Sequence, residues 1–421
     1  MKVMIIGGGA REHTLAWKIA QSPKVKRIYV APGNAGTGLA AHNLSLRPTD
    51  IEALGKAAQE KSIDLAVVGP EVPLALGIVD HFNDLGIPIF GPTKAATQIE
   101  SSKVFAKGLM QKYGIPCPKG VAFSSYSEAQ KYLRKQQPPV VIKADGLAAG
   151  KGVTVANTME EAKKALANSM KEKIFGPAGN KVLIEERLVG KEVSLLAFTD
   201  GKTVIPMIPA CDYKRVFDND QGSNTGGMGS YSPPSFFGAT LTQKVTQSVL
   251  TPAINALTKE GMPYKGVLYA GLIISDGEPK VLEFNARFGD PETQVTLPRL
   301  KTDLIDILLA VINDNLDHID INWSSDACVG VVMASAGYPG SYKTGFPIKG
   351  LDKLDEDILV FHAGTKSDES GNIYTSGGRV LTVTATGKNM AEARNRAYRN
   401  LPHIYFEGCH YRQDIAAREI T

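Results

Sequence analysis

A chain of 421 residues with 43% hydrophobic content is long enough for two or three domains, each with its own core. Its formal charge of +4 is small for that length, and without a basic tail it gives no case for a nucleic-acid binder. No apolar run approaches the roughly 18 residues of a membrane span, and Cys117, Cys211, Cys328 and Cys409 form no Cys-x-x-Cys pair, which argues against a zinc site and for reduced thiols in a cytoplasmic compartment.

The chain opens with Val3-Met4-Ile5-Ile6, which reads as a buried parallel strand and not as a signal peptide. Gly7-Gly8-Gly9-Ala10-Arg11-Glu12-His13 follows, then an apolar-periodic helix through Leu15, Ala16 and Ile19. Strand, glycine turn and helix N-terminus together make an anion site, because backbone N–H groups converge where the helix dipole is positive. Two details disfavour a dinucleotide fold. Glu12 stands where the third glycine of G-x-G-x-x-G belongs, and the second strand, Arg27 to Val30, ends in Ala31-Pro32-Gly33 with no acid for a ribose 2′-hydroxyl. A phosphorylated small molecule fits this loop better. The loop from Pro32 to Thr37, a polar helix over 49–61 and strands at 65–68 and 87–90 continue the alternation, so a parallel sheet with helices on both faces is expected. Gly69-Pro70-Glu71 lies at the carboxyl end of a strand, where open α/β sheets bind ligands. Glu71 is either a solvated turn carboxylate or a ligand group, and its place favours the second.

From Ser101 the character changes. Ser102 to Lys107 begins a helix, which Gly114-Ile115-Pro116-Cys117-Pro118 ends. Val140-Val141-Ile142-Lys143 is a strand carrying a lysine, and the loop after it has glycines at 146, 150 and 152. Glycines let the backbone lie against phosphate oxygens, but the spacing of Gly146 and Gly150 is one residue short of a Walker loop. Taken alone, Lys103 is a solvated helix lysine, and Glu185 and Glu186 are the charged end of a strand over 181–188. The segment from Cys211 to Asp218 leads into a long polar loop reaching Asn224-Thr225-Gly226-Gly227-Met228-Gly229. A loop of this length inside a compact domain is more often functional than idle. It brings Asp212, Lys214 and Arg215 together with a glycine turn able to wrap a small polar substrate, charge pairing within the loop being the alternative.

Gly266 to Ile274 is a buried strand that pairs through Asp276-Gly277-Glu278 with a strand ending at Glu283. Side chains alternate faces along a strand, so Glu283 and Asn285 point the same way, with Arg287 next. A carboxylate and an amide oxygen on one face are hard ligands, suited to Mg²⁺ held between protein and a nucleotide's phosphates. Arg287 adds a permanent cation for a transferring phosphoryl group. The partner strand carries no further carboxylate for a metal. After a helix around 302–315, residues 316–326 read as a linker. Segments at 329–334 and 380–385 and a helix from Met390 to about Tyr398 then make a small α+β cap, with Arg379 at a strand start either facing a nucleotide or, the favoured reading, on the surface.

The run Arg287-Phe288-Gly289-Asp290-Pro291-Glu292-Thr293-Gln294 resembles the signature of the phosphoribosylamine–glycine ligase (glycinamide ribonucleotide synthetase) family, ATP-grasp enzymes of purine biosynthesis. The resemblance extends from Gly7 into the C-terminal region. It implies an N-terminal parallel α/β domain over 1–100, an ATP-grasp domain over 101–324 with a mobile lid at about 121–190, and a C-terminal α+β domain over 325–421. It implies ATP and Mg²⁺ (or Mn²⁺) as cofactors. The substrates would be glycine and 5-phosphoribosylamine, joined through glycyl phosphate in the cytoplasm by a monomer or weak homo-oligomer with neither nucleic acid nor membrane as partner.

Carried over residue by residue, the resemblance places Lys103 and Lys143 at the phosphates under a loop containing Gly146, Gly150 and Gly152. Glu185, Glu186 and Leu188 would belong to the adenine site and Glu192 to the ribose. Gly9, Asn34 and Glu71 would line the phosphoribosylamine side, and Arg215, Asn224 and Gly226 the acceptor cleft. Arg287, Asp290, Asp212 and Lys214 would be the catalytic groups, with Glu283 and Asn285 on the metal. The general base stays open among Asp212, Asp290, a phosphate oxygen and water. Another ATP-grasp carboxylate–amine ligase or carboxylase is the alternative activity.

Overall fold

The computed structural model describes residues 1–148 and 152–420. Its first sheet is parallel, with strands in the spatial order His42–Asn43, Arg27–Pro32, Lys2–Gly7, Leu65–Val68, Ile89–Phe90. Both faces are covered. Val3 and Ile5 join one core with Leu15, Ile19 and Leu304, while Met4 and Ile6 join another with Leu54 and Phe82. That explains why these strands read as unbroken apolar runs. The strand order reverses between Lys2–Gly7 and Leu65–Val68, so the crevice at their carboxyl ends carries both Gly7-Gly8-Gly9 and Gly69-Pro70-Glu71.

A second, antiparallel sheet runs Gly120–Phe123, Val182–Glu186, Val140–Ala144, Val153–Ala156. With the helices Tyr126–Leu133 and Met159–Met170 it encloses a separate core that includes Ala129, Leu133, Ile142, Leu166 and Ile184. A third sheet holds Val204–Pro206, Lys191–Thr199, Gly266–Ser275 and Glu278–Asn285. Its last two strands turn through Asp276 (φ 51°) and Gly277 (φ 77°), the left-handed pair that a tight hairpin requires. The register sets Glu283 opposite Gly271 and Asn285 opposite Tyr269, with a shift that leaves Leu282 unpaired.

The fourth sheet joins the central and C-terminal parts. Its order is Cys211–Asp212, Gly229–Ser232, Ala327–Ala334, Arg379–Gly387, Leu359–His362. The two legs of the polar loop at 212–229 therefore begin the sheet that the C-terminal strands complete, and Val249, Phe284, Val331 and Val383 share one core. The C-terminal strands thus share their sheet with the loop legs of the central part. Residues 316–326 are not a loose linker: Leu316 is fully buried, and Trp323 bridges to Leu300. Their polar neighbours face outward, which hides this anchoring from composition. All four cysteines are free thiols, and no helix among the described residues is long and apolar enough to cross a membrane.

Candidate active site

Glu283 is the electrostatic centre of the cleft. Burial alone would raise its carboxyl, yet Lys214, Lys143, Lys103 and Arg287 outweigh that and hold it below the usual carboxylate range. Each cation arrives on a different piece of chain. Lys103 opens the helix Lys103–Tyr113, whose cap Ser102 accepts the N–H of Phe105. Asp145 Oδ1 accepts from both Ser102 Oγ and Val104 N at 3.0 Å, tying the start of the glycine loop to this helix end. Lys103 Nζ accordingly donates to Gly146 O at 2.8 Å, and burial lowers its pKa. Lys143 Nζ donates to the carbonyl of the unpaired Leu282 at 2.8 Å. Of the loop glycines, Gly146 takes φ +117° and Gly152 lies where a Cβ would meet Ala148; Gly150 falls outside the described residues.

Lys143 also ends a buried charge triad that the sequence did not reveal. Glu185, 4% exposed, places Oε1 at 2.5 Å from Lys107 Nζ and Oε2 at 2.6 Å from Lys143 Nζ. Its backbone lies in a central strand, opposite Gly120 on one side and Val141 on the other. The carboxylate and the main chain of Glu185 thus both have protein partners in this sheet. Glu186 accepts the Lys119 N–H at 2.8 Å, and half-buried Leu188 follows it in the connector out of the strand. Glu192 reaches the other way, to Lys214 Nζ at 3.2 Å.

Arg287 lies between two acids and an amide. Its Nε is 3.0 Å from Glu71 Oε2, and Nη2 is 3.2 Å from both Glu100 Oε1 and Asn285 Oδ1. Glu100, missed in the sequence, is buried and also accepts the Ala286 N–H at 2.6 Å, pinning the backbone between Asn285 and Arg287. Burial would raise the Glu71 carboxyl, but Arg287 and Arg11 bring it below its usual value; for the more deeply buried Glu100, burial wins and the pKa is raised.

The N-terminal glycine loop is filled by its own chain. Gly9 N–H donates to Glu12 Oε2 at 2.6 Å, and Arg11 Nε donates to Glu12 Oε1 at 2.6 Å. The residue that broke the dinucleotide fingerprint is a helix capping group. Asn34 is likewise committed: it is 6% exposed, its Nδ2 donates to Gly8 O at 3.0 Å and His362 O at 2.7 Å, and its Oδ1 accepts Thr37 N–H at 3.0 Å. It braces the loop from below, between Gly8 and His362.

On the polar loop, Asp212 and Lys214 face the cleft. Burial pushes the Asp212 carboxyl up to about 7; Lys214 opposes this, and Glu292, Glu192 and Glu283 reinforce it. Arg215 turns away and donates to Gly222 O at 2.6 Å inside its own hairpin, where Asn224 is its ladder partner. Gly226 meets Arg379, whose Nη1 donates to Gly226 O at 2.6 Å while Nη2 lies 2.8 Å from Asp290 Oδ2. Arg379 is thus no surface arginine, because the strand it opens points into the signature turn. Glu292, 2% exposed, accepts Tyr269 OH at 2.6 Å and Ser194 Oγ at 3.0 Å.

Three models of the phosphoribosylglycinamide synthetase family match in sequence: the N domain over residues 1–100, the ATP-grasp (A) domain over 101–293 and the C domain over 328–418. The chain belongs to the phosphoribosylglycinamide synthetase family. A phosphoribosylamine–glycine ligase of Caldanaerobacter subterraneus is 50% identical over 417 residues, covering 99% of this chain and 100% of that one. One of Escherichia coli O157:H7 is 48% identical, covering 100% and 99%. The crystal structure of the Thermotoga maritima phosphoribosylamine–glycine ligase superposes with a TM-score of 0.87 at 33% identity, covering 99% and 100% of the two chains. A Campylobacter jejuni biotin carboxylase shares the fold at a TM-score of 0.75 and 15% identity, covering 97% and 92%.

The donor set has the chemistry of a hard-cation site. Among the described residues no group of three or more His, Cys, Asp or Glu side chains is assembled around an ion site. Glu283 and Asn285 instead offer one carboxylate and one amide oxygen beside four cations. That is too little for an all-protein cage, but Mg²⁺ tolerates it by keeping waters and taking phosphate oxygens. The chemistry this cleft favours is charge neutralisation and positioning of a polyphosphate.

Proposed function

We propose that this chain is an ATP-dependent ligase that joins glycine to 5-phosphoribosylamine, giving glycinamide ribonucleotide, ADP and phosphate in purine biosynthesis. The observation that carries this reading is the convergence of Lys103, Lys143, Lys214 and Arg287 on Glu283, in a chain that belongs to this family over its length. Lys103 and Lys143 bind the phosphates of ATP beneath the glycine loop, and residues at about 121–190 act as the lid. Glycine's carboxylate attacks the γ-phosphoryl group, with Arg287 and Lys214 stabilising the charge that spreads over the transferring oxygens. The resulting glycyl phosphate is held on the acceptor side by the loop carrying Asp212 and Gly226. The amine of phosphoribosylamine, bound near Gly9 and Glu71, then attacks its carbonyl carbon and phosphate leaves. Mg²⁺ or Mn²⁺ on Glu283 and Asn285 would neutralise phosphate charge when bound. The enzyme works in the cytoplasm as a monomer or weak homo-oligomer.

The test is ADP release with ATP, Mg²⁺, glycine and freshly generated phosphoribosylamine, omitting each in turn. Product at the mass of glycinamide ribonucleotide, formed only in the complete mixture, supports the assignment. ADP formation that requires a different acceptor would overturn the substrate pair.

A further inference from the structure

The loop that carries Asp212 and Lys214 is held by distant parts of the chain at two places: Arg412 and His410 grip its hairpin at Arg215 O, Asp220 and Val216 O, and two further side chains meet at one peptide of its glycine turn. Gly226 N–H donates to Tyr338 OH at 2.9 Å, and Gly226 C=O accepts Arg379 Nη1 at 2.6 Å. The same guanidinium reaches Asp290 Oδ2 at 2.8 Å and Asp290 O at 3.2 Å, so it ties the glycine turn to the signature turn. Gly226 is otherwise exposed, and loop backbone without a ladder partner opens readily. The site has no room for a side chain: a Cβ on Gly226 would lie 3.0 Å from Arg379 Cζ, and one on Gly227, at φ +109°, 2.4 Å from Pro291 Cδ.

A short path of contacts leads from this peptide to the cleft. The neighbouring Thr225 donates its N–H at 2.7 Å and its Oγ1 at 2.9 Å to Lys214 O, while Gly227 N–H donates to Thr225 Oγ1 at 2.9 Å. Tyr213 and Met228 close the rung below, through Tyr213 N–H to Gly229 O and Met228 N–H to Tyr213 O. Thr225 thus ties the Lys214 carbonyl to the held peptide next to it, while Arg412 fixes the following carbonyl, Arg215 O. Lys214 is in turn the first of the cations that hold the Glu283 carboxyl down, and Asp212 and Glu283 oppose each other's ionisation from the same cleft.

We infer that Tyr338 and Arg379 are positioning residues for the reaction, bracketing the Gly226 peptide so that the loop presents Lys214 and Asp212 to glycine and the incoming amine. The inference rests on the ligase reading above. It requires the bracket to act on the acceptor substrates and not on ATP, because Lys103, Lys143 and the glycine loop over the phosphates stand on other elements.

The test uses Tyr338→Phe, which removes one hydroxyl from a half-buried ring, and Arg379→Gln, with steady-state kinetics varying each substrate separately. Loss of one hydrogen bond of ordinary strength should raise KM for glycine and phosphoribosylamine roughly five-fold in Tyr338→Phe. Arg379→Gln also strips Asp290 of its cation and should cost on the order of 100-fold in kcat/KM. KM for ATP stays at the wild-type value in Tyr338→Phe, and the double variant is less than additive because both groups hold one peptide. Hydrogen exchange of residues 212–229 gives a readout independent of turnover and should quicken in both variants. If Tyr338→Phe exchanges and turns over as wild type does, or shifts KM for ATP as much as KM for glycine, the bracket is overturned. A wild-type enzyme that makes no glycinamide ribonucleotide instead overturns the ligase reading, and the exchange data still decide the bracket.

Discussion

Glu185 gives the sharpest contrast between what the family resemblance implies and what the packing dictates. It is 4% exposed and lies between Lys107 and Lys143 at 2.5 and 2.6 Å. Removing one partner from a buried charge group costs about 3–5 kcal/mol, because the remaining charges lose their compensation while staying out of water. Glu185→Gln leaves two ammonium groups facing a neutral amide, so its unfolding free energy should fall by about that amount, a large part of the roughly 5–15 kcal/mol of a typical protein. Lys107→Met leaves the Glu185–Lys143 pair intact and mainly deprives the Pro118 carbonyl of its donor, so a loss of about 1–2 kcal/mol is expected. Urea unfolding of both variants, with hydrogen exchange in the sheet containing Val140–Ala144 and Val182–Glu186, measures the order. KM for ATP should also rise in Glu185→Gln, since Lys143 loses an anchor. If instead Glu185→Gln unfolds like the wild type and only ATP binding suffers, the carboxylate serves the nucleotide and the triad argument is refuted.

Glu283→Gln removes the carboxylate on which four cations converge; turnover should fall by about 100-fold or more with an unchanged circular dichroism spectrum, and a wild-type kcat would remove the metal assignment. Asp212, with its carboxyl pushed up to about 7, should give kcat/KM an acid limb near that pH, with activity rising as the group ionises, and Asp212→Asn should lack the limb. Acid should loosen the joint between the glycine-loop helix and the strand Leu359–His362. His13 Nδ1 accepts the His362 N–H at 2.8 Å, which requires a neutral ring, and burial lowers the pKa values of His13 and His362 to about 3 and about 4 from 6.5. Above pH 6.5 both states are neutral and the pair contributes no pH dependence. Below it the unfolded chain binds protons that the folded chain refuses, so stability falls by up to about 1.4 kcal/mol per pH unit per histidine. Urea midpoints measured at about pH 7 and about pH 5 check this, and the slope should shrink in His362→Gln.

The elements legible in the sequence were those set by local rules. Alternation along a strand put Glu283 and Asn285 on one face, and the left-handed pair Asp276-Gly277 fixed the turn that brings them to the cleft. The glycine loop, the apolar parallel strands and the lysine on Val140–Ala144 follow from the same kind of rule. What stayed hidden was partner choice across long stretches of chain. Glu100 lies 186 positions from the Ala286 N–H it accepts, and Asn34 lies 328 from the His362 carbonyl it binds. A short polar side chain in a loop looks the same in sequence whether it waits for a ligand or braces another segment. Arg379 misled for a related reason: glycines before it suggest an exposed turn, while the sheet it enters aims it at Asp290. Glu12 looked like a defect in a nucleotide fingerprint because periodicity carries no information on which carboxylate caps which helix.

The charges that sequence reasoning could not pair divide the cleft into two halves. Lys103, Lys143 and Arg287 gather on one side of Glu283, whereas Asp212, Glu192 and Glu292 gather beyond Lys214 on the loop side, where burial first and these neighbouring acids second raise the Asp212 carboxyl. At an effective dielectric near 20, each charge about 4 Å away is worth about 4 kcal/mol, so the sign of the field decides what enters each half. On the proposed reading, a triphosphate would be drawn to the side of Lys103 and Lys143. An amine would be sorted in the opposite sense. Lys214 stands at the boundary, with Glu192 on one side and the field of Glu283 on the other. Because the lysines of the two halves stand on separate elements, the boundary forms only when the nucleotide sheet, the hairpin of Glu283 and the bracketed loop are all in register, which makes positioning of the loop as consequential for the reaction as the charges themselves.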